Sequence, residues 1–143
     1  MKVLITGITG FVGQNLKKYL KNQTIIGVSR QKSEKEHVVS YDQVVQQLFD
    51  VKSCIHLAGK AHDLKKTADD AAYFEANTEL TKRLFDQFLE SDCETFIYMS
   101  SVKAVADHID GVLTENVKPN PITVYGKSKL AAEEYILSRK NLK

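Results

Sequence analysis

The chain has 143 residues, 43% hydrophobic and 27% charged, with a net charge of +2. That length is enough for one compact domain with a buried core, and the even charge balance argues against a nucleic-acid or membrane-surface protein. No run of 18 apolar residues reads as a membrane span, and the N-terminus lacks the apolar stretch of a secretory signal.

Cys54 and Cys93 are the only cysteines, and His37, His56, His62 and His108 are scattered. Neither a disulfide framework nor a metal-ligand spacing emerges. The expectation is a cytoplasmic protein with two buried, reduced thiols and no metal. Lys32, Lys35, Lys60, Lys65 and Lys66, interspersed with acids, read as a solvated face.

The first element is a short apolar run, Val3 to Ile5, which reads as a buried parallel strand. Glycines follow at 7, 10 and 13, and then a helix over Phe11–Lys21, with Phe11, Val12, Leu16, Tyr19 and Leu20 at helical spacing. In a strand–turn–helix of this kind each glycine has a task. Gly7 allows the tight turn, Gly10 lets a pyrophosphate approach the backbone, and Gly13 lets the helix pack closely on the sheet. The helix N-terminus offers unpaired N–H groups and a positive dipole end to phosphate. The spacing is G-x-x-G-x-x-G rather than the commoner G-x-G-x-x-G.

Thr24–Val28 reads as the second strand and His37–Val39 as a short third. Asp42–Phe49 reads as a helix with Asp42 as its N-cap. Ser53–Leu57 is the fourth strand. Asp70–Glu90 is a long helix with Phe74, Leu80, Leu84, Phe85 and Phe88 as its apolar stripe. Thr95–Met99 is the fifth strand, Asp107 to Asn120 a loop ending in Pro119-Asn120-Pro121, and Thr123–Ser138 a last helix. The alternation predicts an α/β fold, a parallel sheet with helices on both faces. Ligands of such sheets sit at the carboxyl ends of the strands, where Gly7, Ser29, Arg30, Ala58, Gly59, Ser100 and Ser101 all fall.

The last helix opens on Tyr125-Gly126-Lys127-Ser128-Lys129. Residues four apart share a helical face. A free tyrosine, with a pKa of about 10, is a poor base at neutral pH, and a nearby ammonium favours the phenolate. Lowering a phenol by about 3 units takes roughly 4 kcal/mol, much of which a close, partly desolvated lysine can supply. Such a pair suits general acid–base work.

Together these segments resemble the extended short-chain dehydrogenase/reductase family, in particular its NAD(P)-dependent nucleotide-sugar epimerases and dehydratases. Thr6 to Gly13 matches the TGxxGxxG cofactor turn, and His56-Leu57-Ala58-Gly59 the HLAA-type turn that lines the cofactor. Ser100-Ser101 matches the serine site after the fifth strand. Tyr125 to Glu133 matches YxxSKxxxE.

The resemblance implies a Rossmann-type doubly wound parallel sheet in the order 3-2-1-4-5. It implies Ser101, Tyr125 and Lys129 as catalytic residues, with Tyr125 the acid/base and Lys129 tuning it and holding the nicotinamide ribose. Gly7, Thr9, Gly10, Phe11, Val12, Gly13, Ser29, Arg30, Leu57, Ala58, Gly59, Asn77, Tyr125 and Lys129 are implied to contact the cofactor. Ser100 is the alternative to Ser101, read as a strand-end hydroxyl bonded to backbone. Asn77 is expected to bond backbone of the active-site strand in a structural role. Val105-Ala106 departs from the family's Tyr-Gly ending of that segment.

The second strand ends in Ser29-Arg30 with no acid to accept from a ribose 2′-OH, and an arginine attracts a 2′-phosphate. NADP is therefore expected over NAD. Val102-Lys103 follows Ser101 where a dehydratase commonly carries Asp-Glu, which favours epimerisation or 4-keto reduction.

Family members run to about twice this length. Residues 1–143 are thus read as an incomplete NAD(P)-binding domain, an N-terminal fragment without its last strands and substrate region and of little activity alone. The substrate implied is a nucleotide sugar, the setting bacterial surface polysaccharide synthesis. A homodimer through helices 70–90 and 123–138 is also implied. The competing reading is a non-catalytic NAD(P)-binding, redox-sensing module.

Overall fold

A computed structural model describes residues 1–30, 37–61 and 69–139. Lys32, Lys35, Lys65, Lys66 and His62 lie outside the described residues. The elements in chain order are β1 (Lys2–Thr6), α1 (Phe11–Tyr19), β2 (Thr24–Val28), β3 (Val38–Val39), α2 (Val44–Leu48), β4 (Ser53–His56), α3 (Asp70–Phe74), α4 (Leu80–Leu89), β5 (Thr95–Tyr98) and α5 (Val124–Arg139). All five strands run parallel in the order β3-β2-β1-β4-β5. This is the Rossmann-type order expected.

The chain divides into two compact units, one of Met1–Ala58 with Leu84–Met99, the other of Gly59–Arg83 with Ser100–Lys143. The first unit holds the whole sheet. Alternation along a strand sends odd and even residues to opposite faces. On one face Val3 and Ile5 join Ile8 in a buried cluster, packed by Leu16 of α1, Leu20 just after it, Ile25, Ile55 and Leu57. On the other, Phe96 lies 5.1 Å from Phe85 and 5.3 Å from Phe88, ring centroid to centroid. Cys54 and Cys93 are both buried and unlinked, and burial pushes the Cys54 thiol up.

Three local readings change. Of the five apolar positions expected to line α1, Phe11 and Tyr19 are each 86% exposed and Val12 is exposed too. The helix sits on the turn after β1 through buried Gly13, against Gly7 and Ile8, and Leu16 and Leu20 pack on the sheet cluster. Asp42 is not the cap before α2. A 3-10 turn, Tyr41–Gln43, precedes that helix, and Ser40 caps it, its N–H donating to the Gln43 side-chain carbonyl at 3.2 Å.

The helix expected over 70–90 is interrupted. Between α3 and α4 runs a π-helical stretch, Glu75–Glu79. Its wider turn is held by Thr81, whose hydroxyl donates to the Asn77 carbonyl at 2.7 Å. Leu84, Phe85 and Phe88 are buried as expected, but Phe74, before the interruption, is exposed.

The second unit is built on α5. Its core side includes Gly126, Ser128, Lys129 and Ala132. A 3-10 turn, Val102–Ala104, packs on α5 closely enough that a Cβ on Gly126 would lie 2.3 Å from the Lys103 carbonyl oxygen.

Candidate functional site

In the first unit, the turn after β1 is shaped by its glycines. Gly7 has φ +68°, and a Cβ there would press on the Ala58 backbone at 2.8 Å. A Cβ on Gly13 would lie 2.5 Å from the Gly7 carbonyl and 2.7 Å from the Ile8 Cα. Gly10 differs: the nearest atom to a Cβ there is the Gly7 carbonyl at 3.3 Å. Gly10 is also the N-cap of α1, so no side chain caps that helix. Thr9, Gly10, Phe11 and Val12 are exposed around this end, as an anion-accepting helix N-terminus requires.

Beneath the turn, Thr6 is a hub. Its hydroxyl bonds His56 Nδ1 at 2.6 Å and accepts from the Ala58 N–H at 3.2 Å. It also bonds Tyr41, a phenol that burial pushes above its ordinary pKa. Thr6 thereby ties the β1 turn to the Leu57-Ala58 segment after β4. His56, one of four scattered histidines in the sequence, is a fully buried partner here.

Ser29 is buried, and its N–H donates to the Val39 carbonyl at 3.1 Å. Arg30 is exposed beside it.

In the second unit, Tyr125 and Lys129 lie on α5, one turn apart, within its first six residues. Tyr125 is half-buried. Lys129 is 5% exposed, and burial brings its ammonium down to about 8, with Glu133 opposing the shift.

The backbone bond expected of Ser100 is found at Ser101 instead. Ser101 bonds backbone: its Oγ accepts from the Lys103 N–H at 3.2 Å and caps the 3-10 turn. An accepting oxygen leaves the hydroxyl proton available to a ligand. Ser100 bonds no backbone in this way; its hydroxyl donates to the Glu133 carboxylate.

Asn77 bonds the segment after β4 rather than the strand leading to the serines. Its Oδ1 accepts from Lys60 N–H at 2.7 Å, and its Nδ2 donates to Lys60 C=O at 3.0 Å and to Ser128 Oγ at 2.9 Å. Ser128 Oγ in turn donates to the Tyr125 carbonyl at 2.8 Å. Gly59 is required next to this amide, since a Cβ would sit 2.8 Å from Asn77 Oδ1. Lys60, expected on a solvated face, is half-buried with its Nζ 5.4 Å from the Tyr73 ring centroid.

Among the described residues no group of three or more His, Cys, Asp or Glu is placed to hold a metal. No described helix is long and apolar enough to cross a membrane.

A profile of the NAD dependent epimerase/dehydratase family matches residues 3–142. The chain belongs to that family. It is 30% identical to the UDP-glucose 4-epimerase of Vibrio cholerae over 156 aligned positions, which cover 95% of this chain and 46% of the relative. Among solved structures, MoeE5 in complex with UDP-glucose and NAD superposes with a TM-score of 0.84 at 27% identity, over 96% of this chain and 48% of that one. The UDP-N-acetylglucosamine 4-epimerase of Bacillus cereus gives 0.83 at 30% identity, over 99% and 52%. The chain therefore spans about half the length of these relatives.

Tyr41, Thr78, Ser128, Lys103 and Asp107 were not singled out as site residues from sequence. Ser128 lies inside the YxxSK motif. Thr78 bonds its carbonyl at 2.8 Å. Tyr41, Thr78 and Ser128 meet partners distant in sequence, as Asp107 does at Thr123, while Lys103 and Asp107 lie four residues apart in a segment read as turn and loop.

Proposed function

We propose that this chain carries the cofactor-binding and proton-transferring part of an NAD(P)-dependent nucleotide-sugar epimerase or 4-keto reductase. The observation that carries the reading is the buried Lys129 ammonium one helical turn from Tyr125. Burying a cation is costly, and a catalytic pair gives that cost a use.

The glycine turn fits a dinucleotide: the uncapped α1 N-terminus and the exposed backbone at Gly10 suit a pyrophosphate. Gly7, Thr9, Gly10, Phe11, Val12 and Gly13 are proposed to hold it, with Leu57, Ala58 and Gly59 along its length. A bound nicotinamide would supply hydride exchange with the substrate carbon. Tyr125 takes the matching proton from the sugar hydroxyl, or returns it to the keto oxygen. Lys129 stabilises the phenolate and holds the ribose, and Ser101 donates its proton toward the same sugar oxygen. Asn77 holds the Lys60 backbone and, through Ser128, the turn of α5 that carries Tyr125.

The absence of an acid at Ser29-Arg30 supports NADP over NAD. Lys103 supports epimerisation or reduction over dehydration, because its ammonium is engaged with Asp107 in place of an acid at this position. Sugar-binding residues are proposed to lie outside these 143 residues, in keeping with the half-length match to the relatives. Polysaccharide synthesis, and pairing of two copies through helices 70–90 and 123–138, are proposed on the family's likeness.

The test is Tyr125→Phe in a protein that includes the sugar-binding region. Turnover of a UDP-sugar falls by 100-fold or more, of the order contributed by general acid–base groups, while NAD(P)H binding is kept. Unchanged turnover overturns the reading.

A further inference from the structure

The loop before α5 returns to the start of that helix through one carboxylate. Asp107 Oδ2 accepts from the Ile122 N–H at 2.7 Å and the Thr123 N–H at 2.9 Å. Its Oδ1 accepts from the Thr123 hydroxyl at 2.9 Å. That hydroxyl accepts from the Gly126 N–H at 3.2 Å, so Thr123 is the N-cap of α5 and Asp107 orients the cap.

Lys103 closes the figure from the other side. Its Nζ lies 3.5 Å from Asp107 Oδ1 and donates to the Asp107 carbonyl at 2.8 Å. Its own N–H is held by Ser101 Oγ, and its carbonyl rests against Gly126. One connected ring thus runs from Ser101 through Lys103, Asp107 and Thr123 to Gly126, next to Tyr125.

We propose that Asp107 is a positioning residue that fixes Tyr125 relative to Ser101 by clamping the first turn of α5 to the 3-10 turn after β5. The inference rests on the reading of Ser101 and Tyr125 as a proton-transferring pair. It explains why 13 residues between Val105 and Pro119 do not loosen the helix start. Both ends of the loop are pinned, by Asp107 and by the Asn120 N–H on the Val105 carbonyl at 2.8 Å. It also explains the use of a carboxylate: three donors converge on it, more than a neutral amide oxygen can accept.

The test needs neither cofactor nor sugar, so it can fail or succeed independently of the enzymatic reading. The chain has six tyrosines. With 3-fluorotyrosine incorporated, Tyr125→Phe assigns the Tyr125 line in the 19F spectrum. Asp107→Ala and Thr123→Val are expected to shift or broaden that line while the other five hold. Exchange protection at Gly126 and Lys127 is expected to fall by about five- to tenfold, as for a lost N-cap. Asp107→Asn, which keeps an acceptor for one amide, is expected to give an intermediate change, and it serves if Asp107→Ala does not fold. An unmoved Tyr125 line in these variants overturns the proposal. So does a uniform shift of all six lines, which marks a general loss of structure rather than a local one.

Discussion

Asn77 and Lys60 are joined as two strands would be: the side-chain amide of one accepts from the N–H and donates to the C=O of the other, at 2.7 and 3.0 Å. The same amide reaches Ser128 at 2.9 Å. Asn77 is 1% exposed, so its amide is shielded from bulk solvent. Asn77→Ala is expected to leave the Lys60 groups and Ser128 short of partners and to cost about 2–4 kcal/mol. Urea unfolding at constant m-value measures it. A loss below about 0.5 kcal/mol, the range of an ordinary surface substitution, sinks this assignment.

The three turn glycines are expected to separate fold from ligand. A Cβ on Gly13 collides with the Gly7 carbonyl and Ile8 backbone, and on Gly7 it collides with Ala58 under a left-handed φ. Gly13→Ala and Gly7→Ala therefore destabilise the protein. Gly10→Ala meets only the Gly7 carbonyl at 3.3 Å. It is expected to leave the melting temperature within a few degrees, about 1 kcal/mol or less, while weakening NAD(P)H binding by tenfold or more. Fluorescence titration beside a thermal melt distinguishes the two effects.

Lys129 is held below its ordinary value, at about 8, chiefly by burial. Between pH 8 and 10.5 the unfolded chain binds this proton and the folded chain does not, so stability contributed by this group rises with pH through that window. Lys129→Met removes the buried cation. It is expected to raise the melting temperature at pH 7 and to lose that advantage by pH 10.5, with a ceiling of about 3 kcal/mol. A variant less stable than the parent at pH 7 contradicts this account.

Asp107 behaves in the opposite sense. Backbone N–H donors from Thr123 and Ile122 hold its carboxyl low, at about 2, with Lys103 adding to them. Its contribution is complete above the unfolded value of 3.8 and is lost as pH falls toward 2. Asp107→Asn is expected to flatten that part of the acid-unfolding curve and to leave the neutral-pH limb parallel to the parent's. Identical slopes below pH 4 count against it.

Arg30 is exposed at the end of β2 with buried Ser29 before it. NADP⁺ is expected to compete more tightly than NAD⁺ in a binding titration, and Arg30→Glu to reverse the order, since an acid repels a 2′-phosphate and accepts from a 2′-OH. Tighter NAD⁺ binding to the parent chain refutes the preference.

The sequence by itself determined the five strands, the glycine turn and the helical placement of Tyr125 and Lys129. These follow from local signals: apolar runs, glycine spacing and a four-residue interval along one helix. It also carried the family, because four motifs keep their order along the chain. Only the tertiary structure decided which face of α1 packs, since Gly13 permits an approach that larger apolar neighbours do not advertise. It alone broke the 70–90 helix around Asn77, put the backbone bond at Ser101 and a carboxylate at Ser100, and brought Asp107 to Thr123 across 16 residues. Those outcomes depend on polar groups finding partners far along the chain. A buried hydrogen bond is set by where the backbone passes, and no periodicity in the sequence records that.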